Sequence, residues 1–440
     1  MRRPAGLVLM AALALVITCQ TTASAQPTSV HPSKTPATTS VTCPLEIAEV
    51  TSAQVEEVFA LASRKLAAAA KGKPVRYPFG ALGGKSDYQR TGPTGWTSGF
   101  FPGALWLTYQ HSNRIGWLDR ARRWTKGLLP IADFTGSHDL GFMVGIPTSL
   151  GFMLDPRASN RARYARAESQ AARTLAERWN PRVLAIKSAD YGERWGVIVD
   201  SAMNAPMLIE VGDRTGGQDG ARLRRIGMAH MRTLARDFIR EDGSTFHRLA
   251  YDPRTGRLIG PIPGQGLNAR TSTWARGQAW AIAGFAQAYE RTGDPQFLDA
   301  AWRTASYWMD RVPAGCVPAW DLDLVNPSAP RDSSALAIVA SGMLHLADAI
   351  DARTPQVDGE QEPSGESLPT PSEQLRAYAL DALGTLASPA WTTANSQNPG
   401  LLRRQTLSVP ADPREGSYVW GDYYLLDALT RALRVSAGPT

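Results

Sequence analysis

His138-Asp139-Leu140-Gly141-Phe142 and Asp200-Ser201-Ala202-Met203-Asn204 are the two stretches on which the reading of this chain turns. Each sets one carboxylate at the head of a mostly apolar segment with helical spacing. Charged side chains are seldom placed there without a reason. Read alone, either acid is an ordinary N-cap, because Asp is a preferred cap residue. If the two helix starts face each other, the carboxyls share a pocket, and one can keep a proton that the other has lost. That pairing suits general acid/base chemistry.

Outward from these stretches the sequence reads as helix after helix, with few strand signals. Helices are expected over Leu45–Ala70, Ser98–Gln110, Trp117–Leu129, Asp139–Leu154, Arg161–Trp179 and Val199–Val211. Six more are expected over Ala221–Phe238, Trp274–Arg291, Pro295–Arg311, Ser333–Ile350, Glu373–Ala387 and Ser417–Leu433. Long loops rich in Gly, Pro and aromatic residues separate helix pairs, which suggests repeated hairpins. A closed double ring of six inner and six outer helices accommodates them. Inner helices are then apolar nearly all round, as in Asp139–Leu154 and Val199–Val211. Amphipathic, basic stretches such as Arg161–Arg173 belong to the outer ring. The loops would build a cleft at one end of a rigid scaffold, where site residues usually sit.

The chain's beginning reads differently. Arg2 and Arg3, an apolar run from Leu7 to Ile17, and Ala23-Ser24-Ala25 form an export leader over residues 1–25. The run is too short for a permanent membrane span. Val16-Ile17-Thr18-Cys19 faintly resembles a lipoprotein box, so lipid anchoring through Cys19 is the alternative to an extracellular or periplasmic protein. Residues 26–42, rich in Ser, Thr and Pro, read as a tether. The remainder, 43–440, reads as one catalytic domain with a surface insertion at 353–373. Of the 3 cysteines, Cys43 and Cys316 remain after leader removal. In an oxidising compartment they could pair; two buried free thiols are the other reading.

The formal charge of +7 is scattered over helix faces, as at Arg120, Arg122 and Arg123. That is a solvated surface and not a nucleic-acid stripe. No His/Cys/Glu grouping has metal-ligand spacing, and there is no phosphate-binding glycine loop or Gly-x-Ser-x-Gly elbow. Neither metal nor organic cofactor is expected. Trp residues instead recur beside polar groups at helix starts: Trp96-Thr97-Ser98-Gly99-Phe100, Trp274-Ala275-Arg276-Gly277-Gln278-Ala279-Trp280, Trp320-Asp321 and Trp420-Gly421-Asp422-Tyr423-Tyr424. Aromatic faces beside hydrogen-bonding groups suit sugar rings. His247 and Gln265 flank a turn-bearing loop, Tyr251-Asp252-Pro253-Arg254-Thr255-Gly256.

Taken in order, these segments resemble glycoside hydrolase family 88, the unsaturated glucuronyl hydrolases, from about Trp96 to Leu429. The resemblance rests on Trp-Thr-Ser-Gly-Phe, His-Asp-Leu-Gly-Phe, Asp-Ser-Ala-Met-Asn, the His247–Gln265 loop and Trp-Ala-Arg-Gly-Gln-Ala-Trp. Arg331-Asp332-Ser333-Ser334-Ala335 and Gly421-Asp422-Tyr423-Tyr424 complete it. It implies an all-α (α/α)6 barrel of six helical hairpins and action on unsaturated uronyl oligosaccharides left by polysaccharide lyases, with a glycosaminoglycan-derived disaccharide as the partner. It implies Asp200 as the catalytic acid/base and Asp139 as the assisting carboxylate. Trp96, His247, Gln265, Trp274, Arg276 and Trp280 match substrate-pocket positions. Arg276 is a candidate for the substrate carboxylate, with a salt bridge between helices as its other reading. Ser201-Ala202 and Ala281-Ile282-Ala283 depart from patterns common in the family, which bears on the second sugar. The rival readings are an unsaturated rhamnogalacturonyl hydrolase of family 105 type and a secreted glycan-binding protein without turnover.

Overall fold

The computed structural model describes residues 41–43, 48–354 and 368–436. The leader, most of the tether, and positions 355–367 of the expected insertion lie outside the described residues. Twelve α-helices occur among those described. They are α1 (Ser52–Ala69), α2 (Phe100–Ser112), α3 (Ile115–Lys126), α4 (Ile146–Leu154), α5 (Ala158–Ala176) and α6 (Pro206–Thr215). The remaining six are α7 (Gly217–Asp237), α8 (Ala275–Thr292), α9 (Pro295–Arg311), α10 (Ser333–Asp351), α11 (Pro371–Ala387) and α12 (Val419–Ser436).

Even-numbered helices form the inner ring of an (α/α)6 barrel. α2 packs on α4, α6 on α8, α8 on α10, α10 on α12, and α12 returns to α2. The ring closes between α4 and α6 through glycine. A Cβ on Gly141 would lie 2.8 Å from the Asn204 Cα; at the start of α2, a Cβ on Gly99 would lie 1.9 Å from the Phe142 carbonyl oxygen, so α2 meets the turn before α4 just as closely. Inner helices are apolar because both faces are covered: α10 is buried along nearly its whole length. Odd-numbered helices lie outside and keep one wet face. In α5, Arg163 and Arg166 face away from a buried stripe of Tyr164, Ala171, Ala172 and Leu175.

Local chemistry explains the ends. Thr51 with Gln54 caps α1, and Thr370 with Glu373 caps α11, each as a reciprocal capping box. Pro371 and Pro295 occupy first helical positions, where no amide hydrogen is needed.

Two expected helices are broken, both at the acids. Asp139–Leu154 is a π-helical turn, Gly141–Gly145, followed by α4. Val199–Val211 is a 3-10 turn, Val199–Met203, followed by α6. Pro147 and Pro206 cannot donate the backbone hydrogen bond that an uninterrupted helix requires, so the phase changes just ahead of each.

Short strands, which the sequence reading undercounted, gather in the loops. Gln405–Ser408, Asp412–Tyr418, Tyr77–Leu82 and Gln89–Thr91 make one antiparallel sheet in that order. Ala189–Tyr191, Arg194–Ile198, Arg248–Tyr251 and Leu258–Pro261 make another. They are too short to show alternation, and each sheet joins two local hairpins through one pairing distant in sequence, Gly416 with Leu82 in the first and Ile198 with Arg248 in the second. The tether also ends earlier than expected. Val41–Thr42 pairs antiparallel with Val317–Pro318.

Beside that pairing, Cys43 and Cys316 form a disulfide across a sequence separation of 273. Closing so long a loop restricts the unfolded chain, a stabilisation of about 5 kcal/mol in the loop-entropy picture. Replacing both cysteines by Ser should therefore lower the melting temperature by several degrees without altering the far-ultraviolet circular dichroism. Thiol labelling of denatured wild-type protein should find no free Cys43 or Cys316 before reduction.

Candidate active site

Inner-helix N-termini converge on one mouth of the barrel, and the predicted residues sit there. Asp139 precedes the π-turn leading into α4. Asp200 lies in the 3-10 turn before α6, Arg276 in the first turn of α8, and Asp332 immediately before α10. The second sheet delivers two members together. Strand Arg194–Ile198 runs into Asp200, strand Arg248–Tyr251 starts just after His247, and the Val199 amide donates to the His247 carbonyl at 2.9 Å.

Neither acid is a cap. The Asp139 carboxylate accepts from Ser137 Oγ at 3.0 Å and from Asn204 Nδ2 at 3.4 Å, and His138 Nε2 lies 3.5 Å away. Asn204 also accepts the Phe142 amide at 3.1 Å through its Oδ1, so it ties the two acid-bearing turns together. Asp200 is different. Its Oδ2 is buried and has no hydrogen-bond partner. Burial first, and the negative charge of Asp139 second, push its carboxyl up to about 7.

His247 faces this carboxyl. Its Nε2 lies 3.6 Å from Asp200 Oδ2, and its Nδ1 accepts the Gln265 amide at 2.7 Å. The proton of the neutral ring therefore sits on Nε2, directed at Asp200. Burial and the neighbouring guanidinium groups of Arg248 and Arg276 hold the imidazole down at about 3, so it stays neutral. Gln265 Nε2 donates to Ser408 Oγ at 2.9 Å while its Oε1 has no partner. Trp274 packs edge-on to His247, with ring centroids 4.9 Å apart, and its Nε1 is also without a partner. Buried polar atoms are nearly always satisfied. Asp200 Oδ2, Gln265 Oε1, Trp274 Nε1 and His138 Nδ1 are four exceptions around one site. A ligand rich in hydroxyls would complete them.

Other expected residues take structural positions. Arg276 is 3 % exposed and bonds Asp332 and the carbonyls of Thr406 and Leu407. It is thus the bridge between elements, and not a free clamp for a substrate carboxylate. It also stacks between Trp274 and Trp420. Trp280 is 1 % exposed and packs on Phe142 and Tyr424 beneath the site. Trp96 is half-buried, tilted over Trp420 at 5.0 Å, and remains available as a sugar platform. Ala283, among the departures from the family pattern, packs against Gly342 of α10, so its small size serves helix approach.

Sequence reasoning passed over Ser137, Asn204, Asp332 and Ser408 as site residues. Asn204 and Asp332 stood inside quoted motifs. Nothing local to Ser408 announces its contact with Gln265, which a separate strand supplies. Among the described residues no group of three or more His, Cys, Asp or Glu is arranged to hold a metal. A cavity of 430 Å³ opens at the opposite end of the inner helices. Its charges pair internally, as in Arg291 with Glu210 at 2.8 Å and His345 with Glu290 at 3.1 Å.

No protein-family model matches the chain. The unsaturated glucuronyl hydrolase of Formosa agariphila is 33% identical over 344 residues, 76% of this chain and 79% of that protein. The chain belongs to the unsaturated glucuronyl hydrolase family. A crystal structure of an unsaturated glucuronyl hydrolase specific for heparin superposes with a TM-score of 0.77 at 28% identity, covering 88% of this chain and 99% of that one. An Asp-to-Asn mutant of the Streptococcus agalactiae enzyme, complexed with dGlcA-GalNAc6S, superposes with a TM-score of 0.71 at 25% identity, covering 89% and 94%.

The electrostatics make a prediction. If Asp200 is a proton donor it must hold its proton, so activity should then fall as pH rises through about 7. Asp139→Asn removes the negative neighbour, so the alkaline limb of kcat/KM should move to lower pH. An Asp139→Asn profile superimposable on wild type would reduce Asp139 to an anchoring role.

Proposed function

We propose that this chain hydrolyses unsaturated uronyl oligosaccharides by hydrating the C4=C5 double bond, with Asp200 as the proton donor. The observation that carries the reading is the buried, unpartnered Asp200 Oδ2 beside Asp139, in a carboxyl whose proton affinity is raised to about 7. A vinyl ether conjugated to a carboxylate can be protonated by a general acid with a pKa near the working pH, and needs no displacement at the anomeric carbon.

Asp200 delivers its proton to C4. Positive charge develops at C5 and the ring oxygen. Water adds at C5, and the ionised Asp200 takes one of its protons, which restores the acid. The resulting hemiketal opens to a C5 ketone. The freed oxygen leaves a hemiacetal at C1, which expels the second sugar. One water is consumed and two products leave. The scheme differs from retaining and inverting displacement, where two carboxylates act directly at the anomeric centre. Asp139, fixed by Ser137 and Asn204, raises the proton affinity of Asp200 and faces substrate hydroxyls. His247, Gln265 and Trp274 offer the remaining unsatisfied polar atoms, and Trp96 offers an apolar face.

The family supports a glucuronyl substrate over the rhamnogalacturonyl alternative, and the poised acid supports turnover over mere glycan binding. The complex of the streptococcal relative with dGlcA-GalNAc6S supports a glycosaminoglycan-derived disaccharide. Export is part of the same proposal. The Cys43–Cys316 disulfide suits an oxidising compartment, as does the leader-like start.

Reaction in heavy water tests the chemistry. Unsaturated chondroitin disaccharide should lose its ultraviolet absorbance, and the uronate product should carry deuterium at C4. Saturated glucuronides should react poorly. Rapid cleavage of a saturated glucuronide, without label at C4, would establish ordinary glycosidase chemistry instead.

A further inference from the structure

One buried histidine near the acids has no place in the chemistry above. His230, on outer helix α7, is 0 % exposed. Its Nδ1 accepts the Ile186 amide at 3.0 Å, and its Nε2 meets Ser201 Oγ at 2.9 Å. Ser201 Oγ in turn donates to the Ile198 carbonyl at 2.6 Å. Every proton in this chain is fixed. Nδ1 is an acceptor, so the neutral ring carries its hydrogen on Nε2. The Ser201 hydrogen is engaged with Ile198, so its oxygen must accept from His230.

The relay grips the turn that bears the acid. Ser201 follows Asp200 directly in a 3-10 turn, where successive side chains point about 120° apart. With Ser201 directed at α7, Asp200 is directed elsewhere, toward His247. The grip is anchored on both flanks. Thr233 Oγ1 on α7 donates to the Leu184 carbonyl at 2.8 Å, and the Ile198 amide donates to Ser188 Oγ at 3.1 Å. α7 and two strands therefore hold one five-residue turn.

We propose that Ser201 and His230 are positioning residues for Asp200: the relay from the Ile186 amide to the Ile198 carbonyl keeps the acid-bearing turn closed and the carboxyl's Oδ2 buried. His230 contributes as a neutral donor. Burial holds its imidazole down at about 3, so it places no positive charge behind the acid. The inference rests on Asp200 being the proton donor. Loss of the hydroxyl lets the turn loosen and admits water to the carboxyl, which lowers its proton affinity toward that of an ordinary aspartate.

The test compares wild type, Ser201→Ala and Ser201→Thr on unsaturated chondroitin disaccharide. Ser201→Ala should lower kcat at least tenfold, leave KM within about twofold, and shift the alkaline limb of kcat to lower pH. Ser201→Thr, which keeps the hydroxyl, should recover most of the rate and the wild-type profile. A merely structural role would lower the melting temperature and leave the profile in place. Ser201→Ala with wild-type kcat and pH profile would overturn the proposal. Should the alanine variant not fold, Ser201→Cys offers similar volume with a much weaker donor and acceptor. The Asp200 carbonyl stretch, titrated by infrared difference against Asp200→Asn, reads the same point without turnover. If wild type leaves the disaccharide intact, the functional reading fails. The relay is then judged by that titration, and an unshifted Asp200 in Ser201→Ala would refute it.

Discussion

Removing a carboxyl from water without giving it a hydrogen-bond partner disfavours its charged form. One oxygen of the Asp200 carboxyl is in that state, and its surroundings keep it there. Its Oδ2 is buried without a partner. The nearest imidazole is neutral and 3.6 Å away. Of the two cations that act on it, Arg276 is engaged by Asp332 and two carbonyls, and Arg248 donates to the Pro263 carbonyl. Proton affinity is thus set first by burial and second by Asp139. Such an arrangement lowers stability locally and is characteristic of catalytic groups.

The barrel and the loops divide the work. Inner helices, apolar on both faces, form a stiff ring whose N-termini all reach one mouth. Strands between them bring in residues from far along the chain. Ser408 comes from the strand Gln405–Ser408 to meet Gln265, and His247 arrives beside Asp200 through the pairing of Arg194–Ile198 with Arg248–Tyr251. The close contact at Gly141 lets the π-turn and the 3-10 turn approach each other, and that at Gly99 lets the start of α2 approach the π-turn. Asn204 then joins them by bonding both Asp139 and the Phe142 amide.

The helices were legible in the sequence because apolar spacing over ten or more residues is a long signal. Helix α9 is found where Pro295 and Arg311 mark its ends. The strands were not, since two to seven residues carry too little alternation, and the pairings that join the local hairpins into sheets link segments far apart in the chain. The acids were visible at segment heads, but the broken turns beneath them were not, although Pro147 and Pro206 announced the breaks. Arg276 shows a further limit. Spacing placed it at the site, yet its part depended on Asp332 and the carbonyls of Thr406 and Leu407, which only the folded chain assembles. The Ser201–His230 contact was likewise invisible, because α7 follows Asp200 by a full helix.

The central claim is that one carboxyl, Asp200, both gives and takes the proton. Asp200→Asn tests it most directly, measured by loss of the unsaturated chromophore alongside thermal unfolding at pH 8. The account predicts a rate lower by roughly 10³-fold or more, the scale expected for removal of an acid/base group. It also predicts a melting temperature equal to or above wild type. The folded-state pKa of Asp200 is raised, so ionising it weakens the native state as pH rises to about 7. The amide removes that cost. A folded Asp200→Asn protein with near-normal turnover would contradict the account.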